Sequence, residues 1–113
     1  MSCLFCKILK QEIPATIVYE DDSIVAFEDV NPQAPVHVLV IPRKHISTSL
    51  EITDDDNELI GSMYQVASKI AKDRKVAESG FRLVMNCNRD AGQTVFHIHL
   101  HLIGGRPMNW PPG

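Results

Sequence analysis

Three histidines alternate with aliphatic residues in one short segment near the end of the chain, at positions 97, 99 and 101. Successive side chains of a β-strand point to opposite faces, so this spacing predicts three imidazoles on one face and three aliphatic side chains on the other. We expect the aliphatic face to pack on a core and the imidazole face to open into a site. Burying polar groups without partners is costly, which argues against a purely structural role for three imidazoles in register.

Two kinds of chemistry suit such a face. Histidines at positions i and i+2 of a strand can ligate a metal ion, as they do in zinc enzymes. Alternatively, an imidazole can act as a nucleophile and proton carrier, because its ordinary pKa lies near neutrality. The spacing alone does not separate these two hypotheses.

A polar loop, residues 86–94, leads into the histidine segment. Gly92 permits close approach of the backbone to a ligand, and Gln93 and Thr94 offer hydrogen-bonding groups. This composition suits an anion such as phosphate, although surface loops commonly share it.

A second group with metal chemistry lies at the start of the chain, where Cys3 and Cys6 form a Cys-x-x-Cys motif. The only other cysteine, Cys87, is interpreted as a small buried apolar residue. An odd number of cysteines argues against a secreted disulfide framework. In a reducing compartment the motif indicates metal binding or redox activity, and the alternative is two free thiols on a short N-terminal turn.

The elements that must position these groups follow from the hydrophobic pattern. Apolar and β-branched runs bounded by proline or polar turns predict about five strands, most of them consecutive along the chain. These runs cover residues 17–19, 24–27, 36–41, 81–86 and 94–102. The pattern predicts an α+β fold with a predominantly antiparallel sheet.

One long helix is predicted between the third and fourth strands, because apolar residues from 59 to 71 recur on one helical face. Thr53 is the predicted N-cap, and the acidic run 54–56 is interpreted as a solvated helix start. Gly80 lies beyond the predicted helix end.

Length and charge limit the function classes. At 113 residues the chain is predicted to be one domain, residues 1–113. A net charge of −3 argues against sequence-independent binding of DNA or RNA. No apolar run approaches the ~20 residues of a membrane span, and the N-terminus lacks the pattern of a signal peptide. We therefore expect a cytoplasmic protein with neither a nucleic acid nor a membrane partner.

Four segments resemble the histidine triad (HIT) family. Residues 92–103 contain its motif, in which histidine and apolar residues alternate three times and one further apolar residue follows. Residues 26–37 and 40–46 resemble two other blocks of the family. The ending, 104–113, resembles the histidine triad nucleotide-binding (Hint) branch, and the N-terminal Cys-x-x-Cys resembles its bacterial members.

This resemblance implies a HIT-like fold and a homodimer in which two half-sheets join. It implies hydrolysis of purine nucleoside phosphoramidates and aminoacyl-adenylates to a nucleoside monophosphate of the AMP or GMP type. His99 would attack the α-phosphorus and form a nucleotidyl-histidine that water then hydrolyses. The backbone carbonyl of His97 would hold Nδ1–H of His99.

The resemblance also implies roles for other residues. Contacts to the phosphate or the leaving group would come from His37, Asn86, Gly92, Gln93, Thr94 and His101. Asp29 would bind the ribose, with Phe27 and Val30 near the base, although Asp29 alone would be interpreted as a turn residue. Trp110 would dock near the site of the other subunit and select the substrate. Thr94 stands where the branch more usually has serine, and the hydroxyl is retained.

In bacterial relatives the two cysteines join two histidines in a zinc site, which implies the ligands Cys3, Cys6, His45 and His97 here. Such a closed set suits a structural zinc, so no cofactor is required for the chemistry. Three alternatives stay open: a dinucleoside polyphosphate hydrolase, a nucleotide-binding or scaffold protein with incidental turnover, and a zinc hydrolase that uses all three strand histidines. The Hint-like ending argues against the first, and the last leaves the cysteine pair without a purpose.

Overall fold

One five-stranded antiparallel sheet in the order β1-β2-β3-β5-β4 forms the frame of the molecule. The computed structural model describes residues 3–113, so the predicted domain begins two residues before the described part. The strands are β1 (Ile17–Glu20), β2 (Ile24–Glu28), β3 (Val36–Pro42), β4 (Phe81–Val84) and β5 (Leu100–Gly104). The helices are α1 (Leu4–Leu9) and α2 (Asn57–Asp73). The predicted α+β class with one long helix is confirmed, and the short N-terminal element, expected as a helix or a turn, is the helix α1.

The strand predicted over 94–102 is wrong at its N-terminal end, because β5 begins only at Leu100. In the register of β3 and β5, Val40 pairs with Leu100, so continuing the ladder would bring Ile98 opposite Pro42. Proline has no N–H to donate to a ladder. The N–H of Ile98 instead donates to the carbonyl of Ile46 at 2.7 Å. His97 and His99 therefore precede the strand, and only His101 lies within it.

The two faces of the sheet bury different clusters. The face toward α2 carries the predicted aliphatic partners of the histidines, Ile98, Leu100 and Leu102, packed with Met63 and Ile70 of the helix. The opposite face carries a smaller apolar cluster, which is covered by α1. Its buried members are Phe5, Val25, Phe27, Leu39 and Ile41. All seven residues of β3 are buried, since the strand is covered on both faces.

The start of α2 differs from the predicted solvated start. A single 3-10 turn, Asp54–Asp56, precedes the helix, and Thr53 and Asp56 form a capping box across it. The solvated interpretation is wrong for Asp56, which is buried and accepts from Nζ of Lys44 at 2.6 Å. Because His45 follows Lys44, this ion pair ties the helix start to a predicted metal ligand.

Within residues 3–113, neither helix combines the length and the apolar character that crossing a membrane requires.

Candidate active site

The candidate site lies on the face of the sheet that α1 partly covers, opposite α2. β3 supplies His37 and β5 supplies His101, while His99 comes from the extended segment before β5. His37 and His99 are both buried. The protein partners of their ring nitrogens determine which nitrogen carries the hydrogen.

His99 is held by the main chain. Its Nδ1 lies 2.8 Å from the carbonyl oxygen of His97. A carbonyl only accepts, so Nδ1 carries the hydrogen and donates it. Nε2 is left with its lone pair free, which is the arrangement that the resemblance implies. Burial lowers the pKa of His99 below its usual value, which favours the neutral ring that a nucleophile requires.

His37 and His101 form a pair whose hydrogens are also fixed by the main chain. The N–H of Gln33 donates to Nδ1 of His37 at 3.0 Å, so the hydrogen of the neutral His37 ring is on Nε2. That Nε2 lies 2.9 Å from Nδ1 of His101, which must accept. His101 therefore carries its own hydrogen on Nε2. Burial, together with the nearby imidazoles of His99 and His37, lowers the pKa of His101 to about 4.

Asp29 closes one side of this pair. Its Oδ2 lies 3.3 Å from Nε2 of His37, and its Oδ1 accepts from the N–H of Asn31 at 2.8 Å. The carboxylate thus starts a turn, as its sequence context indicates, and also faces the site. Oxygen and nitrogen atoms of Asp29, His37 and His101 lie close enough to hold a metal ion. The hydrogen that Gln33 places on Nε2 of His37 opposes such ligation, so we interpret the three groups as a hydrogen-bonded set.

The predicted base-contacting residues occupy different environments. Phe27 is buried in the apolar cluster and packs edge-on against Phe5, with ring centroids 5.5 Å apart. Val30 is 99% exposed. Val30 directly follows Asp29 in the chain, so a ligand at this carboxylate would have an exposed aliphatic side chain beside it.

The loop before the histidines is braced by Gln93. Its side chain donates to the carbonyls of Ser47 and Val95, at 2.9 and 3.1 Å, and accepts from the N–H of Asn88 at 2.8 Å. The N–H groups of Gly92 and Gln93 also donate to carbonyls within the loop. A phosphate contact by either residue would have to replace one of these hydrogen bonds.

Thr94 and Asn86 are the loop residues with accessible side chains among those predicted. Thr94 is exposed and Asn86 is half-buried. Thr94 lines an open cavity of about 670 Å³ whose walls also include Ser47, Val95 and His45. The side chain of Thr94 is therefore accessible from this cavity.

Four residues bring their metal-binding atoms together beside the site, and we call Cys3, Cys6, His45 and His97 the thiol–imidazole cluster. Their donor atoms all lie within 4.8 Å of one another. Nδ1 of His97 lies 3.2 Å from Nδ1 of His45 and 3.5 Å from Sγ of Cys3. Sγ of Cys6 lies 3.4 Å from Nδ1 of His45.

The surroundings of the cluster suit a metal ion. Nε2 of His97 donates to the carbonyl of Pro42 at 2.7 Å, which leaves the Nδ1 lone pair directed at the cluster. A ligating histidine commonly donates its other ring N–H in this way. Cys3 is the N-cap of α1, and its Sγ accepts from the N–H of Cys6 at 3.3 Å. Two thiols and two imidazoles form a donor set that fits tetrahedral zinc.

Trp110 is not covered by its own chain, since 83% of its surface is exposed. The carbonyl of its neighbour Asn109 accepts from Arg82 of β4 at 3.0 Å, so this part of the tail is attached to the sheet. The predicted docking of Trp110 would need a surface outside this chain.

Sequence reasoning did not identify three residues that organise the site. Phe5 packs perpendicular to His99 with ring centroids 5.0 Å apart. Gln33 sets the hydrogen of His37 through its N–H, and Arg106 donates to the carbonyl of Gln33 at 3.0 Å. The only signal for Phe5 was its place between the two cysteines, and nothing in the sequence indicated the other two.

Comparisons with known proteins agree with this arrangement. The model of the HIT domain family matches residues 10–108. A purine nucleoside phosphoramidase of Escherichia coli strain K12 is 50% identical over 105 residues, which are 93% of this chain and 88% of that protein. A HIT-like protein of Synechocystis sp. is 53% identical over 110 residues, which are 97% of this chain and 96% of that protein.

Solved structures give the same result. The crystal structure of a HIT family hydrolase from Legionella pneumophila matches with a TM-score of 0.97 and 55% identity, and covers 99% of this chain and 100% of that one. A HIT family hydrolase from Clostridium thermocellum matches with a TM-score of 0.93 and 49% identity, over 96% of this chain and 94% of that one. The predicted family is confirmed: this chain belongs to the HIT domain family.

Proposed function

We propose that this chain is a purine nucleoside phosphoramidase that releases a nucleoside monophosphate from phosphoramidates and aminoacyl-adenylates. The observation that carries the proposal is the hydrogen bond from Nδ1 of His99 to the carbonyl of His97, which leaves a neutral ring with a free Nε2 lone pair. The identity of 50% to a protein named for this activity supports it.

The reaction proceeds in two displacements at phosphorus. Nε2 of His99 attacks the α-phosphorus as the bond to the leaving group breaks. In a phosphoramidate this is the P–N bond, whose electron pair leaves with the amine as it takes up a proton. In an aminoacyl-adenylate it is the P–O bond, whose electron pair leaves with the carboxylate.

Water then attacks the phosphorus of the nucleotidyl-histidine. The N–P bond breaks with its electron pair returning to Nε2, and the proton that the water gives up passes to solvent, which restores the neutral imidazole and releases the nucleoside monophosphate. Catalysis requires the nucleophile in line and hydrogen-bond donors on the phosphoryl oxygens. Nε2–H of His101, held in place through His37, supplies one such donor.

The proton for the leaving amine needs a group near the departing nitrogen. The exposed hydroxyl of Thr94 suits this role, because a hydroxyl both donates and accepts. Asn86, from the same loop, is the second group proposed to contact the leaving group. Gly92 and Gln93 contribute mainly by shaping the loop.

The nucleoside end would lie at Asp29. Its Oδ2 is an acceptor for ribose hydroxyls beside His37. Val30 offers exposed apolar surface to the base, and Phe27 lies in the buried floor behind the site.

The thiol–imidazole cluster is proposed to hold zinc through Cys3, Cys6, His45 and His97. A bound zinc ion would link the N-terminus to the histidine segment and favour thiolates and neutral imidazoles as its ligands. The hydrogen bond from His97 to Pro42 would orient its ring. Free cysteines also suit the predicted cytoplasmic location, because reducing compartments preserve thiols.

The proposed homodimer joins two sheets at an edge strand. The edges are β1 and β4. The register of β1 shifts between Ile17 and Tyr19, and such irregularities oppose pairing at an edge. β4 pairs regularly with β5, so we propose β4 as the joining edge, with Trp110 of each chain docking on the other.

Replacing the nucleophile tests the proposal. His99→Asn retains an amide N–H for the carbonyl of His97 but has no nucleophilic nitrogen. We expect it to release AMP from an adenosine phosphoramidate about a thousandfold or more slowly than the unmodified protein. The measurement is AMP release by chromatography, with circular dichroism and zinc content to verify folding.

Two results would contradict the proposal. Folded, unmodified protein could release no AMP from this substrate class, or His99→Asn could retain most of the rate. A dinucleoside polyphosphate tested in parallel would be the better substrate if the alternative hydrolase activity were correct.

A further inference from the structure

Phe5 connects the thiol–imidazole cluster to His99. It lies between Cys3 and Cys6 in the first turn of α1, and it is 4% exposed. Its ring centroid lies 5.0 Å from that of His99, with an angle of 89° between the ring planes. The same ring lies 5.9 Å from His97. Aromatic rings in perpendicular contact restrict each other's orientation.

A second contact reaches His99 from the same cluster. The ring of His97 belongs to the cluster, and its carbonyl accepts the hydrogen of Nδ1 of His99 at 2.8 Å. The ring of His99 is therefore held through Nδ1 by the carbonyl of His97 and through a perpendicular ring contact by Phe5. Both contacts come from residues that a metal ion in the cluster would fix.

The helix that carries Phe5 needs such an anchor. α1 has six residues, and isolated helices of this length are not stable in water. It is held by the apolar cluster and by Cys3 and Cys6, which face the two imidazoles. Thiol–imidazole contacts of 3.4–3.6 Å are weaker links than metal–ligand bonds, so an ion in the cluster would strengthen this attachment.

We propose that metal occupancy of the thiol–imidazole cluster sets the orientation of His99, with Phe5 as the positioning residue that transmits it. The inference rests on the proposed function only for its kinetic part, because the orientation of the His99 ring is measurable without a substrate. Zinc in this protein is then a regulator of the nucleophile in addition to a structural ion.

The experiment compares zinc-loaded and chelated samples of the unmodified protein, Phe5→Leu and Ile8→Ala. Ile8 lies on the same helix and packs on the same apolar cluster, so its variant reports general loosening of α1. The measurements are the ring ¹⁵N resonances of His99, which report hydrogen bonding and tautomer, zinc affinity by chelator competition, and kcat and KM with an adenosine phosphoramidate.

In the unmodified protein, chelation is expected to shift the His99 resonances and to lower kcat about tenfold to a hundredfold, with a smaller change in KM. Phe5→Leu should still bind zinc. Its zinc-loaded form should nevertheless show His99 resonances and a kcat that are displaced toward those of the chelated, unmodified protein. Chelation should then change this variant less than it changes the unmodified protein. Ile8→Ala should respond to chelation as the unmodified protein does.

Three results would overturn the inference. The first is a chelated protein with unchanged His99 resonances and kcat. The second is a Phe5→Leu variant that responds to chelation as fully as the unmodified protein does. The third is a Phe5→Leu variant in which only KM changes. If Phe5→Leu fails to fold, Phe5→Met, which keeps more volume, takes its place. Absence of AMP release from zinc-loaded protein would refute the proposed function, while the resonances would still decide the coupling.

Discussion

The middle histidine of the motif carries its ring hydrogen on Nδ1, whereas the histidines on either side carry theirs on Nε2. A main-chain group sets each of these hydrogens. The carbonyl of Pro42 accepts from His97, and the carbonyl of His97 accepts from His99. For His101 the main-chain group is the N–H of Gln33, which acts through the ring of His37. The ring of His97 thereby directs a lone pair at the thiol–imidazole cluster, the ring of His99 keeps the lone pair of Nε2 free, and the ring of His101 keeps an N–H donor.

The sequence predicted which residues meet here but could not predict these hydrogen positions. Alternation along the chain predicts that the imidazoles share a face from local geometry alone, although only His101 lies within a strand. The partners that fix the hydrogens, Pro42 and Gln33, lie 55 and 68 positions before the rings at 97 and 101. Their contacts exist only after the sheet has formed.

Acid should destabilise the fold through His101. Its pKa, about 4 when folded, is lower than the ordinary value near 6.5, so the unfolded chain binds a proton that the folded chain does not. The stability that the neutral ring contributes is fully present at pH values above about 6.5 and is lost as the pH falls toward 4. Burial is the main cause of this lowered pKa; the neighbouring imidazoles of His99 and His37 lower it further, and the carboxylate of Asp29 opposes the change.

We expect the free energy of unfolding to fall by roughly 1–2 kcal/mol more in the unmodified protein than in His101→Gln between about pH 7.5 and about pH 5. Urea titrations at fixed protein and zinc concentrations measure this difference. Equal losses in the two proteins would show that His101 is not buried in its neutral form.

At the scale of elements, the sequence predicted all five strands and the long helix. Its largest boundary error was the start of β5, and β4 also ends earlier than predicted. β5 begins late because Pro42 cannot extend the ladder, and β4 ends at Val84 before the half-buried loop residue Asn86. Hydrophobic patterning locates a strand by its side chains, whereas its ends depend on which N–H groups of the neighbouring strand are available. That information is absent from the strand's own residues.

The turn after β5 holds the loop that orients His37. Arg106 donates to the carbonyl of Gln33, and Gly105 at φ +93° lets the chain pass Pro35. A Cβ on Gly105 would lie 2.9 Å from Cβ of Pro35. Gly80 has a similar φ of +113°, but a Cβ there would meet nothing within 4 Å.

These two glycines form a matched pair. Gly80→Ala should lower the free energy of unfolding by about 1 kcal/mol through backbone strain alone. Gly105→Ala should lower it by about 2–4 kcal/mol, because the clash with Pro35 adds to the strain. Thermal and urea unfolding give both values, and equal losses would mean that the loop moves away from residue 105 without cost.

At the scale of the whole molecule, the apolar residues left outside the two clusters are informative. Trp110 is 83% exposed and is the only tryptophan in the chain. Val30, also exposed, lies beside the carboxylate proposed to bind ribose. The sequence predicted that Trp110 would be covered, and this chain alone does not cover it.

The proposed dimer makes Trp110 a direct reporter of assembly. Light scattering should give about twice the 12.6 kDa mass of one chain. As protein concentration rises through the dimer's dissociation constant, the emission of Trp110 should move to shorter wavelength and iodide should quench it less. A dimer with unchanged emission would refute the docking of Trp110, and a mass of one chain at every concentration would refute the dimer.

The register between β3 and β5 restricts how the length of this chain can vary. His37 pairs with Ile103 and Leu39 with His101 on the site face, while Val38 pairs with Leu102 on the face toward α2. Inserting or deleting one residue within either strand would exchange these faces beyond that point, burying imidazoles under the helix and presenting aliphatic side chains to the phosphate. Working variants of this protein are therefore expected to differ by substitutions in these strands and by changes of length only in the turns outside them.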